Sequence, residues 1–412
     1  MQITNLQKKT IDLLNPWWFE SKFDFGIKRR QYLKKIDLFL KKRSQILFLL
    51  GSRRVGKTRI ILQYISKLIN SGTNPKKILF LSLDNTNLYD FNLFDFLTDN
   101  SFDFIFLDEI QYLVNWPQIL KSIYDLPRGR GKIICSGSSS KLIEDSKAFL
   151  TGRSSNIDVL PLDFIEFKVF SKSSSIKDYL RLGGYPEYVL EKEPNYLNDL
   201  IRDIIEKDII RVNKLKNGEI LFDICQILAK QIGFKTTSNK ISNVLKVDNK
   251  TVVSYMNYLK QVRLVDSIYQ YSQSLNKRLY SPKKYYFMDL GIRNSFVGFT
   301  DIGSLVENSI FISLSKKYGS KNIYYLSDQR SKEVDFVVDL GQDKLAFFES
   351  KYLNLQSAIE NSISNIFTKD INDKKVVSRV IVTDGIDNIT KIKDCTVSLV
   401  SLSKFLDTFK TV

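Results

Sequence analysis

The feature that most constrains this chain is a glycine-rich loop between two apolar segments. Residues 51–58 follow the pattern G-x-x-x-x-G-K-[ST], directly after the apolar run Ile46–Leu50 and before a helical pattern that starts at Ile60. In that setting the backbone N–H groups of the loop and the helix N-terminus attract phosphate. The sequence therefore predicts that the chain binds a nucleoside triphosphate. The residues predicted to contact the nucleotide in this loop are Gly51, Ser52, Arg53, Arg54, Val55, Gly56, Lys57, Thr58 and Arg59.

A second motif predicts hydrolysis of that nucleotide. The run Phe104–Leu107 is typical of a parallel strand buried on both faces, and Asp108 and Glu109 follow it. Adjacent carboxylates at the end of a buried strand are costly unless they have a function there. We expect Lys57 to reach the β- and γ-phosphates, Thr58 and Asp108 to hold Mg²⁺, and Glu109 to polarise the attacking water.

The charge of the chain predicts an anionic partner. Its 62 Lys and Arg residues exceed its 45 Asp and Glu residues, which gives a net charge of +17 in 412 residues. Nucleic acid is the commonest partner of such a protein, although scattered lysines also serve solubility. The chain has no histidine, so histidine-based acid–base catalysis and histidine-ligated metal sites are excluded. Carboxylates and lysines must carry any chemistry.

Cysteine usage and hydropathy predict a cytoplasmic protein. Cys135, Cys225 and Cys395 are far apart and lack zinc-site spacing, which suits a reducing compartment. No apolar stretch approaches membrane length, and the N-terminus lacks the apolar core of a signal peptide. We therefore expect a soluble cytoplasmic protein without a membrane partner.

The first part of the chain alternates strand-like and helical patterns, which predicts a parallel sheet with covered faces. Ser136 follows the fourth apolar run and is a candidate for sensing the γ-phosphate, with an ordinary Ser/Gly turn as the alternative. Before the first strand, Trp17 and Trp18 either cover the adenine or pack in the core. The five predicted strands span residues 46–50, 78–83, 104–107, 133–135 and 157–160.

A compact stretch at residues 236–264 predicts a helix-turn-helix. Its second helix carries Lys250, Tyr255, Tyr258 and Lys260, which we expect to touch phosphate and stack on bases. The alternative is a packing or lid module without nucleic-acid contact. The apolar faces are assigned to Ile241, Val244 and Leu245 on the first helix and to Val252, Val253, Met256 and Leu259 on the second.

The last part of the chain holds a second set of acidic residues. Glu307 begins an apolar-periodic helix, and Glu349 and Lys351 share one face of a predicted strand because side chains repeat every two residues. An antiparallel partner strand would bring Asp335 opposite them. Three converging carboxylates predict Mg²⁺ or Mn²⁺ among Glu307, Asp335 and Glu349, with Lys351 activating a metal-bound water against a phosphodiester. The alternative is a surface salt-bridge cluster.

Together these motifs resemble archaeal and bacterial AAA+ ATPases close to the STAND group. Members of that family carry a C-terminal domain similar to PD-(D/E)XK nucleases, and Glu307, Asp335, Glu349 and Lys351 match that motif. The resemblance also implies that Arg153 acts on the γ-phosphate within or across subunits, unless it forms a structural salt bridge. The other matching segments are residues 51–58, 107–112 with Trp116, 136–139, 150–153, 161–167, 183–187 and 286–291.

The predicted fold is α/β, and it has four domains. A P-loop NTPase parallel sheet (1–160) precedes a helical lid (161–217), a winged helix-turn-helix (218–290) and an α/β restriction-endonuclease-like domain (291–412). The predicted function is an AAA+ ATPase that uses ATP and Mg²⁺, acts on DNA and forms homo-oligomers. Its C-terminal domain would be a nuclease using Mg²⁺ or Mn²⁺, or a DNA-binding domain. The alternative is a STAND-like, nucleotide-controlled signalling switch with a catalytically silent, partner-binding C-terminal domain.

Overall fold

The structure, a computed structural model, has two compact units, Met1–Leu160 and Pro161–Val412. It describes residues 3–20, 23–42, 45–126, 131–138, 149–216, 218–327, 332–353, 355–363, 366–371, 374–393 and 395–408. Ser139, Asn217 and the side chain of Arg30 lie outside the described residues. The division at Leu160 coincides with the end of the predicted ATPase core.

Within its described residues, the first unit contains a five-stranded parallel sheet in the order β2-β3-β4-β1-β5. The strands β1, β2 and β3 are mostly continuous apolar runs, as in a sheet that is covered on both faces, and every residue of β1 is buried. The edge strand β5 is polar and only partly buried. The predicted parallel sheet is confirmed, although the last strand begins at Ser154 rather than Ile157. The strands are β1 (Ile46–Leu50), β2 (Ile78–Ser82), β3 (Phe104–Asp108), β4 (Lys132–Gly137) and β5 (Ser154–Asp158).

Helices of the first unit connect these strands. The strand order places the ends of β3, β4 and β1 side by side at the carboxyl edge of the sheet. The sequence elements that follow these three strands therefore meet there. The helices are α1 (Asn5–Leu14), α2 (Arg30–Lys42), α3 (Lys57–Asn70), α4 (Leu93–Asp99) and α5 (Trp116–Tyr124), with 3₁₀ turns at Pro16–Trp18, Pro75–Lys77, Thr86–Leu88 and Ile110–Tyr112.

The second unit begins with short helices and a π-helix at Ile204–Ile210. Its helices are α6 (Phe164–Ser171), α7 (Ile176–Leu182), α8 (Pro186–Glu191), α9 (Tyr196–Asp203), α10 (Arg211–Asn213), α11 (Glu219–Lys230), α12 (Ser238–Leu245), α13 (Asn249–Gln261), α14 (Leu275–Tyr280), α15 (Leu290–Val297), α16 (Ile302–Tyr318), α17 (Gln356–Ser362) and α18 (Leu402–Thr408), with a 3₁₀ turn at Ser320–Asn322.

One mixed sheet runs through most of this unit. Among the described residues it has nine strands in the order β13-β14-β12-β11-β10-β9-β7-β8-β6. The strands of the predicted helix-turn-helix region and of the predicted nuclease-like region thus belong to the same sheet, which explains why one compact unit contains both. The strands are β6 (Lys235–Thr236), β7 (Val265–Gln270), β8 (Lys283–Phe287), β9 (Ile323–Ser327), β10 (Glu333–Gly341), β11 (Lys344–Ser350), β12 (Lys375–Thr383), β13 (Asn388–Ile392) and β14 (Cys395–Ser401).

The two helices of the predicted helix-turn-helix are present as α12 and α13. The Thr237 hydroxyl accepts the Lys240 N–H at the start of α12, and the Asp248 carboxylate accepts the N–H groups of Lys250 and Thr251 at the start of α13. Lys246 ends α12 with a φ of 52°, in the left-handed region. The short turn is therefore defined by a cap on each side.

Asp289 connects two of the segments that match the AAA+ family, residues 183–187 and 286–291. This buried carboxylate accepts the N–H of Gly184 at 2.6 Å and that of Ile292 at 2.9 Å. Gly183, with a φ of 72°, lies so close that a Cβ atom there would be 2.5 Å from Asp289 Oδ1. The segments 183–187 and 286–291 therefore pack directly against each other.

None of the helices in the described parts of the chain combines the length and the apolar character needed to span a membrane.

Candidate functional site

The predicted phosphate loop joins β1 to α3 at the carboxyl edge of the first sheet. Gly51 lies against the chain that follows β5, because a Cβ atom there would be 2.3 Å from the carbonyl oxygen of Val159. Gly56 has a φ of 96° and immediately precedes α3. Both positions favour glycine, and the first N–H groups of α3 lack carbonyl partners within the helix. The loop therefore has the backbone that phosphate binding requires.

Lys57 lies inside this loop and is buried. Its Nζ donates to the carbonyl oxygens of Gly51 at 3.1 Å and Ser52 at 3.0 Å, and lies 3.9 Å from Glu109 Oε1. A buried ammonium needs such partners to offset its lost hydration. Phosphate oxygens would be stronger, charge-assisted partners, so the position of Lys57 fits its predicted role.

Asp108 connects residues that follow or lie in three neighbouring strands. Its Oδ2 accepts a 2.7 Å hydrogen bond from the Thr58 hydroxyl, and its Oδ1 accepts one from the Ser136 hydroxyl. Burial raises the pKa of Asp108, whereas the two hydroxyl groups lower it. Hydroxyl and carboxylate oxygens are the ligands that Mg²⁺ prefers, so Thr58 and Asp108 fit the predicted metal site.

Ser136 is directed at the acidic pair in this structure. Besides donating to Asp108, its Oγ accepts the backbone N–H of Glu109 at 3.3 Å. The strand order explains this contact, because β4 lies between β1 and β3. Ser136 is thus placed to orient the pair, and its predicted contact with a γ-phosphate stays a prediction.

Glu109 has an unusual backbone and an unexpected partner. Its φ of 51° is in the left-handed region, which is uncommon for a residue other than glycine. The Gln111 amide nitrogen donates to Glu109 Oε2. Gln111 belongs to the matching segment 107–112 and lies two residues after Glu109, but no local pattern indicated this contact. Strained backbone held by neighbours is a frequent property of functional sites.

The arginines of the loop differ in their surroundings. Arg53 is half-buried, whereas Arg54 and Arg59 are exposed. A further arginine, Arg29, is buried and donates to the carbonyl oxygens of Val55 at 2.8 Å and Leu160 at 2.9 Å. Arg29 therefore stabilises the backbone of the phosphate loop through hydrogen bonds, a role that no local sequence pattern indicated.

Arg153 does not lie beside the phosphate loop of its own chain. It immediately precedes β5, whose first residue pairs with Ile46 at the start of β1, and the loop follows the other end of β1. Its guanidinium forms an ion pair with Asp125, at 3.0 Å and 3.3 Å. The predicted action on the γ-phosphate within one subunit is therefore wrong, because the parallel sheet separates the two positions by the length of a strand.

Trp17 and Trp18 also lie at the amino edge of the sheet. Both indole N–H groups donate to the carbonyl oxygen of Ile78, at 3.1 Å and 2.9 Å, and Ile78 is the first residue of β2. Of the two interpretations, core packing is the one that the structure supports.

In the second unit, the predicted pairing of β10 with β11 is present. The register places Phe336 opposite Phe348, and the Asp335 N–H donates to Glu349 Oε2 at 3.1 Å. Lys351 Nζ lies 2.9 Å from Glu349 Oε1. Burial and the charge of Asp335 raise the pKa of Glu349 to about 8, against the opposite effect of Lys351. The structure thus brings these three predicted residues together.

Glu307 joins this cluster through a lysine that sequence analysis missed. Lys284 Nζ lies 3.3 Å from Glu307 Oε1 and 3.5 Å from Asp335 Oδ1, and it also pairs with Glu333. Burial alone would lower the pKa of Lys284, but the surrounding carboxylates raise it well above its usual value. The only sequence signal was a lysine beside the aromatic residues of an otherwise buried strand.

The predicted metal ligands do not fit a metal as the structure places them. Within the described ranges, no group of three or more Asp, Glu, Cys or His residues is arranged to hold a metal ion. Glu307 Oε1 accepts the Tyr286 hydroxyl at 2.7 Å, and Asp335 Oδ2 accepts the Ser350 N–H at 2.9 Å. Ammonium, hydroxyl and amide groups therefore take the positions that were predicted for a cation.

The predicted nucleic-acid face of the helix-turn-helix is only partly available. Lys250 is exposed and Tyr258 is half-buried, but Tyr255 is buried and cannot stack on a base. Lys260 lies 3.4 Å from Asp266 Oδ1 and donates to Ser267 Oγ at 2.9 Å. Val244 and Val253, which were assigned to the apolar faces of the two helices, are 67% and 40% exposed, so they do not belong to the packed faces.

A phosphate loop, an acidic pair and a covered parallel sheet together define a P-loop nucleotide-binding domain. Residues 43–168 match the family model described as an AAA domain, so this part of the chain is similar to AAA domains. Residues 173–302 and 302–405 match two further models, both described as domains of unknown function (DUF8612 and DUF4143).

Two relatives match most of the chain. A protein of Haemophilus influenzae is 27% identical over 339 residues, which cover 76% of this chain and 83% of that protein. A protein of Methanocaldococcus jannaschii is 26% identical over 387 residues, which cover 84% of each chain. Both relatives are described as uncharacterized.

Solved structures show weaker likeness. The Aeropyrum pernix ORC1 protein in complex with DNA is 13% identical, with a TM-score of 0.29 and coverage of 66% of this chain and 93% of that one. AMPPCP-bound DnaA from Aquifex aeolicus is 16% identical, with a TM-score of 0.32 and coverage of 60% and 93%. At these scores the likeness assigns no ligand or partner to this chain.

Proposed function

We propose that this chain is a Mg²⁺-dependent ATPase that acts on DNA. The observation that carries the ATPase proposal is the contact network at the ends of β1, β3 and β4. Lys57, Thr58, Asp108 and Glu109 meet there around the phosphate loop. Bound Mg²⁺ would supply charge neutralisation for the phosphates.

Each residue of the network then has one task. Lys57 binds the β- and γ-phosphates, and Thr58 and Asp108 hold the Mg²⁺ ion. Glu109 accepts a proton from the attacking water, and Ser136 and Gln111 fix the orientation of the acidic pair. Burial disfavours the charged form of Asp108, and a neighbouring divalent cation would favour it.

The proposal of DNA as the partner rests on charge and on the helix-turn-helix. A net charge of +17 favours phosphate backbones, whose neutralisation releases counterions. On α13, Lys250 is exposed at the N-terminal end of the helix, so this end is the proposed contact, whereas Tyr258 lies in the C-terminal half and is half-buried. The antiparallel strands β7 and β8 follow α13, in the position of a wing.

For the C-terminal region we propose DNA binding without cleavage. The sequence motif Glu307, Asp335, Glu349 and Lys351 favours a metal-dependent nuclease, but Lys284 contacts two of its three acids. The same contact favours the second candidate for the whole chain, a STAND-like switch whose C-terminal region is catalytically silent.

We propose that Arg153 acts across subunits, because the phosphate loop of its own chain is at the other edge of the sheet. That role would require a homo-oligomer and release of the ion pair with Asp125.

The free thiols of Cys135, Cys225 and Cys395 suit the proposed cytoplasmic location.

One experiment tests the proposal and separates its two candidates. The full chain is incubated with ATP and Mg²⁺, and phosphate release is measured with and without single- and double-stranded DNA. An ATPase acting on DNA should bind labelled DNA and hydrolyse ATP faster in its presence. Turnover without DNA binding would favour the switch, and absence of turnover in every condition would contradict the ATPase proposal.

A further inference from the structure

We infer that Lys284 is the permanent cation of the C-terminal acidic cluster, where it stands in place of the expected metal ion. The cluster, defined as Glu307, Glu333, Asp335 and Glu349 with their lysines, thereby joins two parts of the nine-stranded sheet. This inference is independent of the ATPase proposal, because it concerns residues of the second unit only.

The contacts of Lys284 are those of a central cation. Its Nζ is within 3.5 Å of one oxygen each of Glu307, Glu333 and Asp335. An ammonium group has three N–H donors, which equals the number of carboxylates that surround it. The Lys284 side chain is 2% exposed, so a solvated surface salt bridge does not describe it.

The oxygens of Glu349 and the second oxygen of Asp335 already have donors. Glu349 Oε1 faces Lys351, and its Oε2 accepts the Asp335 N–H. Asp335 Oδ2 accepts the Ser350 N–H at 2.9 Å. Mg²⁺ demands near-octahedral geometry at about 2.0–2.1 Å, so its entry would break several of these bonds at once.

The charges of the cluster nearly cancel without a metal. With all four carboxylates ionised, the acids carry −4 and the three lysines in contact with them carry +3, which leaves −1. The raised pKa of Glu349 favours its neutral form, which brings the net charge of the cluster still closer to zero. The lysines are Lys235, which lies 3.1 Å from Glu333, Lys284 and Lys351. Repulsion among the acids, the reason for expecting a divalent cation, is therefore largely removed by the chain itself.

The position of the cluster gives it a structural task. Among the described residues, β7 and β9 pair at Tyr269 with Tyr324 and at Gln270 with Tyr325, a short connection within the sheet. Lys284 belongs to β8, on one side of this short joint, and Glu333 and Asp335 belong to β10, on the other. The buried ion pairs thus link the helix-turn-helix side of the sheet to the C-terminal side.

A stability experiment tests the role of Lys284. Lys284→Met keeps the side-chain length but removes the charge, and Lys277→Met changes an exposed lysine on α14 as a matched control. Leaving buried carboxylates without their cation should lower the thermal unfolding midpoint of the second unit by on the order of 10 °C. The control should match the wild type. An unchanged midpoint for Lys284→Met would overturn the inference.

A metal-binding experiment tests the second part of the inference, that the acidic cluster does not hold a metal ion. It requires only variants that fold normally. The full chain and Asp335→Asn are titrated with MnCl₂ by calorimetry, without nucleotide. We expect the same weak or absent binding in both proteins, and no cleavage of labelled DNA by the wild type in Mn²⁺. Stoichiometric Mn²⁺ binding by the wild type that Asp335→Asn abolishes would overturn the inference, even if Lys284→Met failed to fold.

Discussion

The Thr58 hydroxyl donates a 2.7 Å hydrogen bond to Asp108 Oδ2. These residues follow β1 and end β3, two strands that are not neighbours, because β4 lies between them. The hydrogen bond therefore connects the segment that follows β1 to the end of β3, at the carboxyl edge of the sheet and past the end of β4. It also holds a hydroxyl and a carboxylate oxygen together where a divalent cation would need both.

The first prediction concerns Glu109→Gln. The change keeps the size of the side chain but removes the group that accepts the proton from water, so phosphate release should fall at least about 100-fold. ATP binding should change little, whereas Lys57→Ala should weaken it. Steady-state phosphate release and fluorescent-nucleotide titration measure the two effects. Normal turnover in Glu109→Gln would mean that the water is activated elsewhere.

The second prediction assigns Gln111 a positioning role. Gln111→Leu removes the hydrogen bond that fixes Glu109 Oε2, which should lower kcat about tenfold or more and leave KM nearly unchanged. Tyr112→Phe is a suitable control, because Tyr112 is exposed and adjacent. A raised KM at normal kcat would instead assign Gln111 to nucleotide binding.

The third prediction tests the DNA contact of α13. Lys250→Glu should weaken DNA binding and reduce the slope of log K against log salt by about one, because one phosphate contact is lost. Lys192→Glu makes the same charge change at an exposed residue outside the helix-turn-helix and provides the comparison. Fluorescence anisotropy over a salt series measures both. Equal DNA affinities for the two variants would indicate that the helix-turn-helix has a packing role and does not contact DNA.

Lys260 is unsuitable for that test. Its ammonium lies 3.4 Å from Asp266 and donates to Ser267 within the same module. A glutamate there would oppose Asp266 and disturb the packing of β7 on α13, so lower DNA affinity would have two explanations.

The fourth prediction concerns pH and Asp289. Burial raises the pKa of Asp289 to about 6, although the N–H groups of Gly184, Ile292 and Gly291 lower it. Folding thus favours the protonated form, and this contribution is present below pH 4 and lost as pH rises through 6. Between pH 4.5 and 7, the wild type should lose about 2 kcal/mol of unfolding free energy relative to Asp289→Asn. Urea unfolding at several pH values measures this difference, and a constant difference would contradict it.

Local sequence patterns predicted the contiguous parts of the candidate nucleotide site and their backbone context. The loop at residues 51–58 and the pair Asp108 and Glu109 are each contiguous, and their backbone context follows from neighbouring apolar runs. Glu349 and Lys351 were also predictable as one face of a strand, because the two-residue repeat of a strand is a local property. The antiparallel pairing of β10 with β11, which has an irregularity between Asp339 and Gly341, places Asp335 beside them.

Strand order and burial were decided only by the tertiary structure. Arg153 follows a glycine in a suggestive motif, but the direction of β5 places it at the opposite edge from the phosphate loop. Tyr255 is on the predicted helix, but its side chain is buried. Neither outcome follows from spacing along the chain.

The acidic cluster is the clearest example of a feature that spacing along the chain does not determine. Glu307, Asp335 and Glu349 were recognisable from sequence, and they predicted a metal because carboxylates repel each other without one. Lys284 is 23 residues before Glu307 in the chain and reaches the acids only through the packing of the nine-stranded sheet. Whether acidic residues bind a metal depends on every charge that the fold brings to them, and the sequence order does not contain that information.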